Sequence, residues 1–417
     1  MKTLFTRVWR NEKQQRWPQC LQLRSQYIGT AILLCSLVAL LSACSLFPQA
    51  SQSGGGDSTN ALPSPTASAA VSSTPTFVPP TINLQVVGCP ALSVNWDSLV
   101  GTHAGVNKVQ QVTCGSLEGA GSLAALVSAR YYSPDAKLDV YVYDNLTATP
   151  ARRFSVQGLL NGNAVISSLG TVATAEVSPK DPIKGAPDLF KDYAWNGGGF
   201  GQDIFSGIYP EVTLYQADKA QALVNTELAN PNMKQLDTWR LSASGVTSHL
   251  ATDVFHWKSY TQQVLTPNVK RQTTINVSVT NTGPGGGGFT AVLNRLDGNV
   301  NNILEATQIT PVDTNIVLSS PAANSTLHSP VNVSGTSLAA GSTLGQAVIY
   351  DDMYVQVGNS GSLSSSAASG YIQFTKSVSY QLNANGVQEG VIAFYPTNQN
   401  NVLISNQATM MKVFLAA

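Results

Sequence analysis

Few side chains in this sequence are spaced for chemistry. Its four histidines are His103, His249, His256 and His328. None lies in an H-E-x-x-H pattern, which sets two imidazoles and a general base on one helix face around zinc. No G-x-S-x-G elbow is present, so a Ser–His–Asp constellation would have to be assembled by folding. His249 and His256 fall seven apart on one helical face beside Trp257, where partly exposed polar residues are the simpler reading. Asp351-Asp352 are hard oxygen ligands suited to weak calcium binding. Adjacent residues on a strand point to opposite faces, however, so solvated turn or edge positions fit them better. Gly283 to Gly288 matches G-x-G-x-x-G, but Phe289 onward reads as a strand where a dinucleotide site needs a helix. The glycines are better taken as a loose hairpin loop, and Gly119 to Ala124 fails the same test. No cofactor and no metal are expected. What remains is aromatic. In YAWNGGGFGQDIF (193–205) and just beyond it, Tyr193, Trp195, Phe200, Phe205 and Tyr209 could present a carbohydrate- or peptide-binding surface. If the protein were instead a hydrolase, Asp203, Glu211 and His256 would be the first residues to test.

The five cysteines carry more information than the histidines. Residues 28–41, IGTAILLCSLVALL, are uncharged and short of the ~20 residues a membrane-spanning helix needs. They have the length of the apolar region of a secretory signal, preceded by a basic segment. Leu41-Ser42-Ala43-Cys44 follows and resembles the bacterial lipobox. The resemblance implies cleavage before Cys44 and a diacylglycerol thioether on its sulfur. Cys20 and Cys35 would leave with the signal, 1–43. Cys89 and Cys114 then remain in an oxidising compartment, where a disulfide between them is expected over two buried free thiols. A bridge would close a loop whose chain entropy is worth roughly 3–4 kcal/mol. Neither cysteine has a partner at zinc-ligand spacing.

Composition agrees with export. Charged residues make up 11% of the 417, which leaves a surface built from Ser, Thr, Asn, Gln and Gly. Residues 1–43 hold six basic side chains and one acidic, so the remainder is about five net negative. A body of that sign has no electrostatic footprint for a phosphate backbone, and nucleic acid is excluded as a partner.

Three kinds of sequence would position these residues. Residues 44–81 begin with Cys44 and continue as a Ser/Thr/Pro-rich tether. Residues 82–311 read as an α+β domain, an antiparallel sheet with helices, in one or two subdomains. Here 123–133 and 137–146 are strands joined at Pro134-Asp135. Leu138, Val140 and Val142 alternate with Asp139, Tyr141 and Tyr143 as in a half-buried strand. Residues 163–178 are a further strand or hairpin. In 213–228, Leu214, Ala217, Ala220, Leu223 and Val224 fall at helical spacing. A second helix is expected from an N-cap at Asp237-Thr238, with Trp239 and Trp257 anchoring its buried stripe. Strands return at 273–282, 289–298 and 302–310. Residues 316–417 read as all-β, with six strand segments (IVLSS, VNVSGT, AVIYDDMYVQV, YIQFTKSVSY, EGVIAFY and TMMKVFL) spaced as in a β-sandwich.

That last region has a family resemblance. SPAANSTLHSPVNVSGTS (320–337) is similar to the opening of the immunoglobulin-like domain of bacterial spore-germination and related exported proteins. Pro321, the turn at Ala323-Asn324, Ser329-Pro330 and the strand from Val331 to Thr336 match its pattern, and Gly335 would permit the exit turn. Ser337 to Gly341 lacks the aromatic–Glu pair usual there. The resemblance implies an immunoglobulin-like sandwich and an envelope setting, and brings no catalytic residue. More faintly, 202–225 resembles uncharacterised exported lipoproteins that carry such a domain.

These features lead to a lipoprotein held on the extracytoplasmic side of the cell membrane, engaging a wall polymer or an envelope protein. The alternative is an extracytoplasmic hydrolase of envelope polymers. The missing catalytic signatures favour the first.

Overall fold

Side-chain alternation sets most of the architecture. The computed structural model describes residues 81–118, 123–178, 185–284, 286–312, 316–338, 343–364, 371–383, 386–395 and 408–417. Cys44, the signal and the tether up to residue 80 lie outside them, as does the Gly119–Ser122 stretch. Strand β1 (Gln85–Val87) runs parallel to β2 (Asn107–Ser116). Strands β3 (Leu123–Tyr131), β4 (Leu138–Asp144) and β5 (Ala151–Leu159) continue the sheet as an antiparallel meander. Between β1 and β2, the one-turn helix α1 (Trp96–Val100) is capped by Asn95, whose Oδ1 accepts the Ser98 N–H at 3.0 Å. A second meander of β6 (Asn163–Ile166), β7 (Val172–Glu176), β8 (Leu189–Trp195) and β9 (Phe200–Asp203) stacks on the first. Leu126, Leu138, Val140 and Val142 meet Ala164 and Val172 between the two sheets.

The outer face of the first sheet is also covered, since Trp96 packs there with Val109, Val112, Val127, Tyr141 and Tyr143. Strand β4 is therefore buried on both faces, where its alternation implied one. Its polar member is satisfied in place: Asp139 accepts from the Tyr131 and Tyr141 hydroxyls and from the Gly158 N–H. Alternation between apolar and Tyr/Asp residues thus separates two cores here, not core from solvent.

Helix α2 (Leu214–Ala229) starts at a capping box, with the Thr213 hydroxyl accepting the Gln216 N–H and the Gln216 side chain accepting the Thr213 N–H. Leu214, Ala217, Ala220 and Val224 are buried as their spacing implies, whereas Leu223 is exposed. The second expected helix is broken. Thr238–Leu241 forms a 3-10 turn, Ser242 caps α3 (Ala243–His249), and α3 ends in a π turn, Leu250–Val254. Asp237 makes no cap, because its carboxylate binds Arg240, and Trp257 is buried beyond the helix end. Gly245 allows the break: a Cβ there would sit 2.3 Å from the Trp239 carbonyl oxygen.

Strands β10 (Tyr260–Val264), β11 (Thr274–Asn281), β12 (Gly288–Arg295) and β13 (Leu304–Pro311) form a third meander. Ile275, Val277, Val279, Phe289, Ala291 and Leu293 all face Val246, Leu250 and Val254 of α3 and its π turn. The expected antiparallel sheet with a helix on one face is present. The β11–β12 hairpin turns within this glycine stretch, with Gly286 and Gly287 at positive φ and Gly288 opening β12 opposite Thr280; Gly285 lies outside the described residues.

The remaining strands are β14 (Ile316–Ser320), β15 (Thr326–His328), β16 (Val331–Leu338), β17 (Thr343–Tyr350), β18 (Gln356–Asn359), β19 (Leu363–Ser364), β20 (Tyr371–Val378), β21 (Val387–Tyr395) and β22 (Thr409–Ala416). All six expected segments contain strand, the third being split into β17 and β18 by a turn at Asp351-Asp352. Strands β14, β16 and β20 stack on β22, β21 and β17, burying Val333 and Phe374 against Ile349, Ile392, Phe394, Val413 and Leu415. Gly335 lies inside β16 and not at its exit. Its missing Cβ would come 2.3 Å from the Val317 carbonyl oxygen of β14, so close strand approach is what requires it. Strand β13 pairs with β22 through Ile309 and Met410, so one ten-stranded sheet runs through both regions. The opposite face of β17 and β21, with Val348, Val391 and Ala393, belongs to the core under α3. The whole is a β-rich, multi-sheet fold. Among the described residues no helix is long and apolar enough to cross a membrane.

Candidate functional site

The five aromatic residues divide between two places. Tyr193 and Trp195 on β8 face the same way as Phe200 and Gln202 on β9, because Trp195 pairs with Phe200 and Tyr193 with Gln202 across the antiparallel ladder. Phe154 of β5 joins them from the facing sheet, its ring centroid 4.9 Å from Tyr193 and 5.2 Å from Phe200. Trp195 meets Phe200 edge-on at 5.4 Å. Phe154, Tyr193 and Phe200 form the outer rim of the core between the first two sheets, Trp195 packs on Phe200 beyond it, and each ring is partly exposed. Beyond Trp195 the chain turns through Asn196 and three glycines. The Asn196 carboxamide oxygen accepts the Gly198 and Gly199 N–H groups, and Gly197 takes φ 92°. Burial, followed by Glu176 and Asp192, pushes the Tyr193 phenol up to about 12 against an opposing hydrogen bond with Thr174.

Phe205 and Tyr209 are elsewhere, both buried. Phe205 packs under α2 with Leu214, Ala217 and Val224. Tyr209 lies in the core under α3, donates to Asp253 Oδ2 at 3.2 Å, and stands edge-on to Tyr354 at 5.5 Å. Residues 204–213 therefore thread between sheet and helices and do not extend the aromatic surface.

That buried segment is held by a polar seam that the sequence does not announce. Lys412 of β22 donates to the Gly207 oxygen at 2.9 Å and to the Val212 oxygen. It also pairs with Glu389 of β21 at 3.4 Å. Glu389 accepts the Phe205 N–H at 2.8 Å. Burial lowers the Lys412 ammonium against the pull of Glu389, and burial raises the Glu389 carboxyl against the pull of Lys412. Beside them, Glu211 takes two hydrogen bonds from Arg240 at 3.1 and 2.8 Å, while Arg240 also reaches Asp237 at 2.6 Å. Glu305 of β13 accepts the Glu211 N–H at 3.3 Å. Burial, then the adjacent Glu211, holds the Glu305 carboxyl well above the usual range. Each of these two carboxyls has one buried oxygen without a donor, Glu211 Oε2 and Glu305 Oε1. Protonation of Glu305, the direction its burial favours, would give that carboxyl a hydrogen to donate to Glu211.

Two adjacent carboxyls are the elements of acid–base chemistry. Here they are 8% and 2% exposed and committed to Arg240 and backbone groups, which suits a cross-link between elements better than turnover. The other two hydrolase candidates lie in different surroundings. Asp203 is exposed at the end of β9, and His256 is exposed past the π turn at φ 53°. His249 stacks on Trp239 at 4.0 Å, with Nδ1 3.3 Å from Asp253 Oδ2. Asp352 is no solvated turn residue. It is 1% exposed, accepts the Phe190 N–H at 3.3 Å, and burial raises its carboxyl well above the usual range, with Asp351 adding to the shift. Its neighbour Asp351 caps the turn through the Met353 and Val355 N–H groups.

Cys89 and Cys114 are bridged, with Cα atoms 4.8 Å apart, tying the segment after β1 to β2. Among the described residues no group of three or more His, Cys, Asp and Glu side chains is placed to hold a metal ion.

No family model matches the chain, and no curated relative does. Among solved structures it aligns with a C-terminally truncated trimeric ectodomain of the C. elegans fusion protein EFF-1, and with a mutant of that ectodomain. The alignments cover 71% of this chain and 67% and 69% of those chains, at 7% and 8% identity. The TM-score is 0.14 in both, too slight a likeness to carry any argument about fold or function.

Proposed function

We propose that this protein is a lipid-anchored extracytoplasmic lipoprotein that acts as a binding or assembly module of the cell envelope. In this reading Cys44 carries the lipid, and 44–81 is a tether that lifts the folded body off the membrane. The body comprises an α+β domain over 82–311 and an immunoglobulin-like sandwich over 316–417. The sandwich reading draws support from the β14-β16-β20 layer stacked on β22-β21-β17 around a core of its own. The disulfide is consistent with export.

One observation carries the binding reading: the partly exposed rim of Phe154, Tyr193, Trp195 and Phe200, where aromatic area stays open beside amide groups. The test has two arms. Metabolic labelling with a fatty-acid probe should mark the wild-type chain and not Cys44→Ala. Purified protein should be retained by isolated cell wall or by a defined envelope protein. Retention by neither bait, with lipidation intact, would refute the binding role and bring the hydrolase alternative forward.

A further inference from the structure

The rim's occupant can be narrowed by charge. Directly opposed residues of an antiparallel pair share a face, so the ring face of the β8–β9 hairpin carries Lys191, Tyr193, Trp195, Phe200 and Gln202. Asp192 and Asp203 oppose each other and share the other face. Asp192 is buried there, accepting the Thr171 hydroxyl at 2.9 Å. Lys191, the ring face's single charge, lies 3.9 Å from Glu176. On the adjoining edge strand, Arg153 is paired with Asp144 at 2.6 Å. Among the described residues, both cations beside the rings, Lys191 and Arg153, have acidic partners, which leaves an anionic polymer no free cation there.

The polar groups on offer are neutral. The Gln202 carboxamide is exposed beside Tyr193. The Trp195 indole N–H makes no hydrogen bond with the described residues, and its ring is partly open at the strand end. Flat aromatic surface combined with neutral donors and acceptors matches a sugar, which has apolar C–H faces and hydroxyl edges. β9 is also an edge strand of its sheet, so an extended peptide adding to that edge is the competing occupant, marked by retention without a chitohexaose response.

We infer that the hairpin face of Trp195, Phe200 and Gln202 binds a neutral glycan, with a sugar ring stacked on Trp195. The inference rests on the binding-module reading and specifies its ligand class. Phe154 and Tyr193 act as the floor that holds Phe200 in place.

The experiment uses the full-length protein in detergent with chitohexaose as the neutral probe, polyglutamate as the anionic comparison, and isolated cell wall in parallel. Wild type should bind chitohexaose with a change in tryptophan fluorescence and should ignore polyglutamate. Trp195→Ala should weaken chitohexaose binding at least about tenfold, and Trp195→Phe should recover part of it. Near-UV circular dichroism of both variants checks that the fold is kept. Binding that is unchanged in a folded Trp195→Ala protein would overturn the inference. So would wall retention by wild type with no response to chitohexaose, an outcome that leaves the binding-module reading standing. Loss of wall and protein retention by wild type would remove both.

Discussion

Asp192 offers a sharp test of how this fold treats charge. Its carboxyl is pushed up to about 7, first by burial and then by the nearby Glu389, Asp218 and Asp203 carboxylates, with the Thr171 hydroxyl opposing. An unfolded aspartate titrates near 3.9. A folded-state value raised above the unfolded one contributes stability that is full below about 4 and is lost as pH rises through about 7. At ~1.4 kcal/mol per pH unit, the loss from this group is on the order of 4 kcal/mol above pH 7, and roughly 2.5 kcal/mol of it falls between pH 5 and 8. Burial also raises the carboxyls of Glu176, Asp218, Glu305, Asp352 and Glu389, which act in the same direction. Urea unfolding should therefore show greater stability at pH 5 than at pH 8, the reverse of ordinary acid denaturation. Asp192→Asn keeps an acceptor for Thr171 and removes the titration. The variant should gain about 2–4 kcal/mol over wild type at pH 8, and that advantage should shrink by more than half at pH 5. An advantage that stays constant between the two pH values, or grows toward acid, would refute this account of Asp192.

Other perturbations have defined directions. Arg240→Ala strips the buried Glu211 of its partner and should cost about 3–5 kcal/mol in urea unfolding, whereas Glu305→Gln, which keeps a donor beside Glu211, should cost under about 1.5 kcal/mol. Reducing the Cys89–Cys114 bridge reopens a loop of separation 25 and should lower stability by about 3.5 kcal/mol, read from unfolding with and without reductant. Gly335→Ala drives a methyl group against the Val317 carbonyl and should cost about 1–3 kcal/mol, accompanied by faster amide exchange in β14 and β16.

Where one physical signal decided an element, the sequence was enough to find it. The β11 and β12 faces alternate with period two, and every inward apolar residue lies under α3. The α2 stripe repeats at helical spacing, and all of it is buried except Leu223. Two expectations failed where tertiary contact overruled local pattern. The helix expected from 237 onward breaks at Ser242 because Asp237 is drawn to Arg240, and Arg240 is held in turn by Glu211, 29 residues earlier. The alternation in β4 separated two cores, and nothing local distinguishes a tyrosine facing a core from one facing solvent.

The aromatic residues show the same limit. YAWNGGGF is a hairpin whose glycines place Trp195 opposite Phe200, so their association is local and legible. Phe205 and Tyr209 follow within a few residues, yet their burial depends on Lys412 and Glu389, about 200 positions away. A hint was present in the strands themselves. In TMMKVFL, Lys412 shares its face with the buried Met410, and in QEGVIAFY, Glu389 shares one with Val391 and Ala393. A lone charge in an inward position costs several kcal/mol unless it is paired. One such lysine and one such glutamate on adjacent strands imply each other, and together imply a polar backbone segment crossing that sheet face. The segment is 204–213, which leaves the rim at β8 and β9 as the part of this aromatic stretch still open to a ligand.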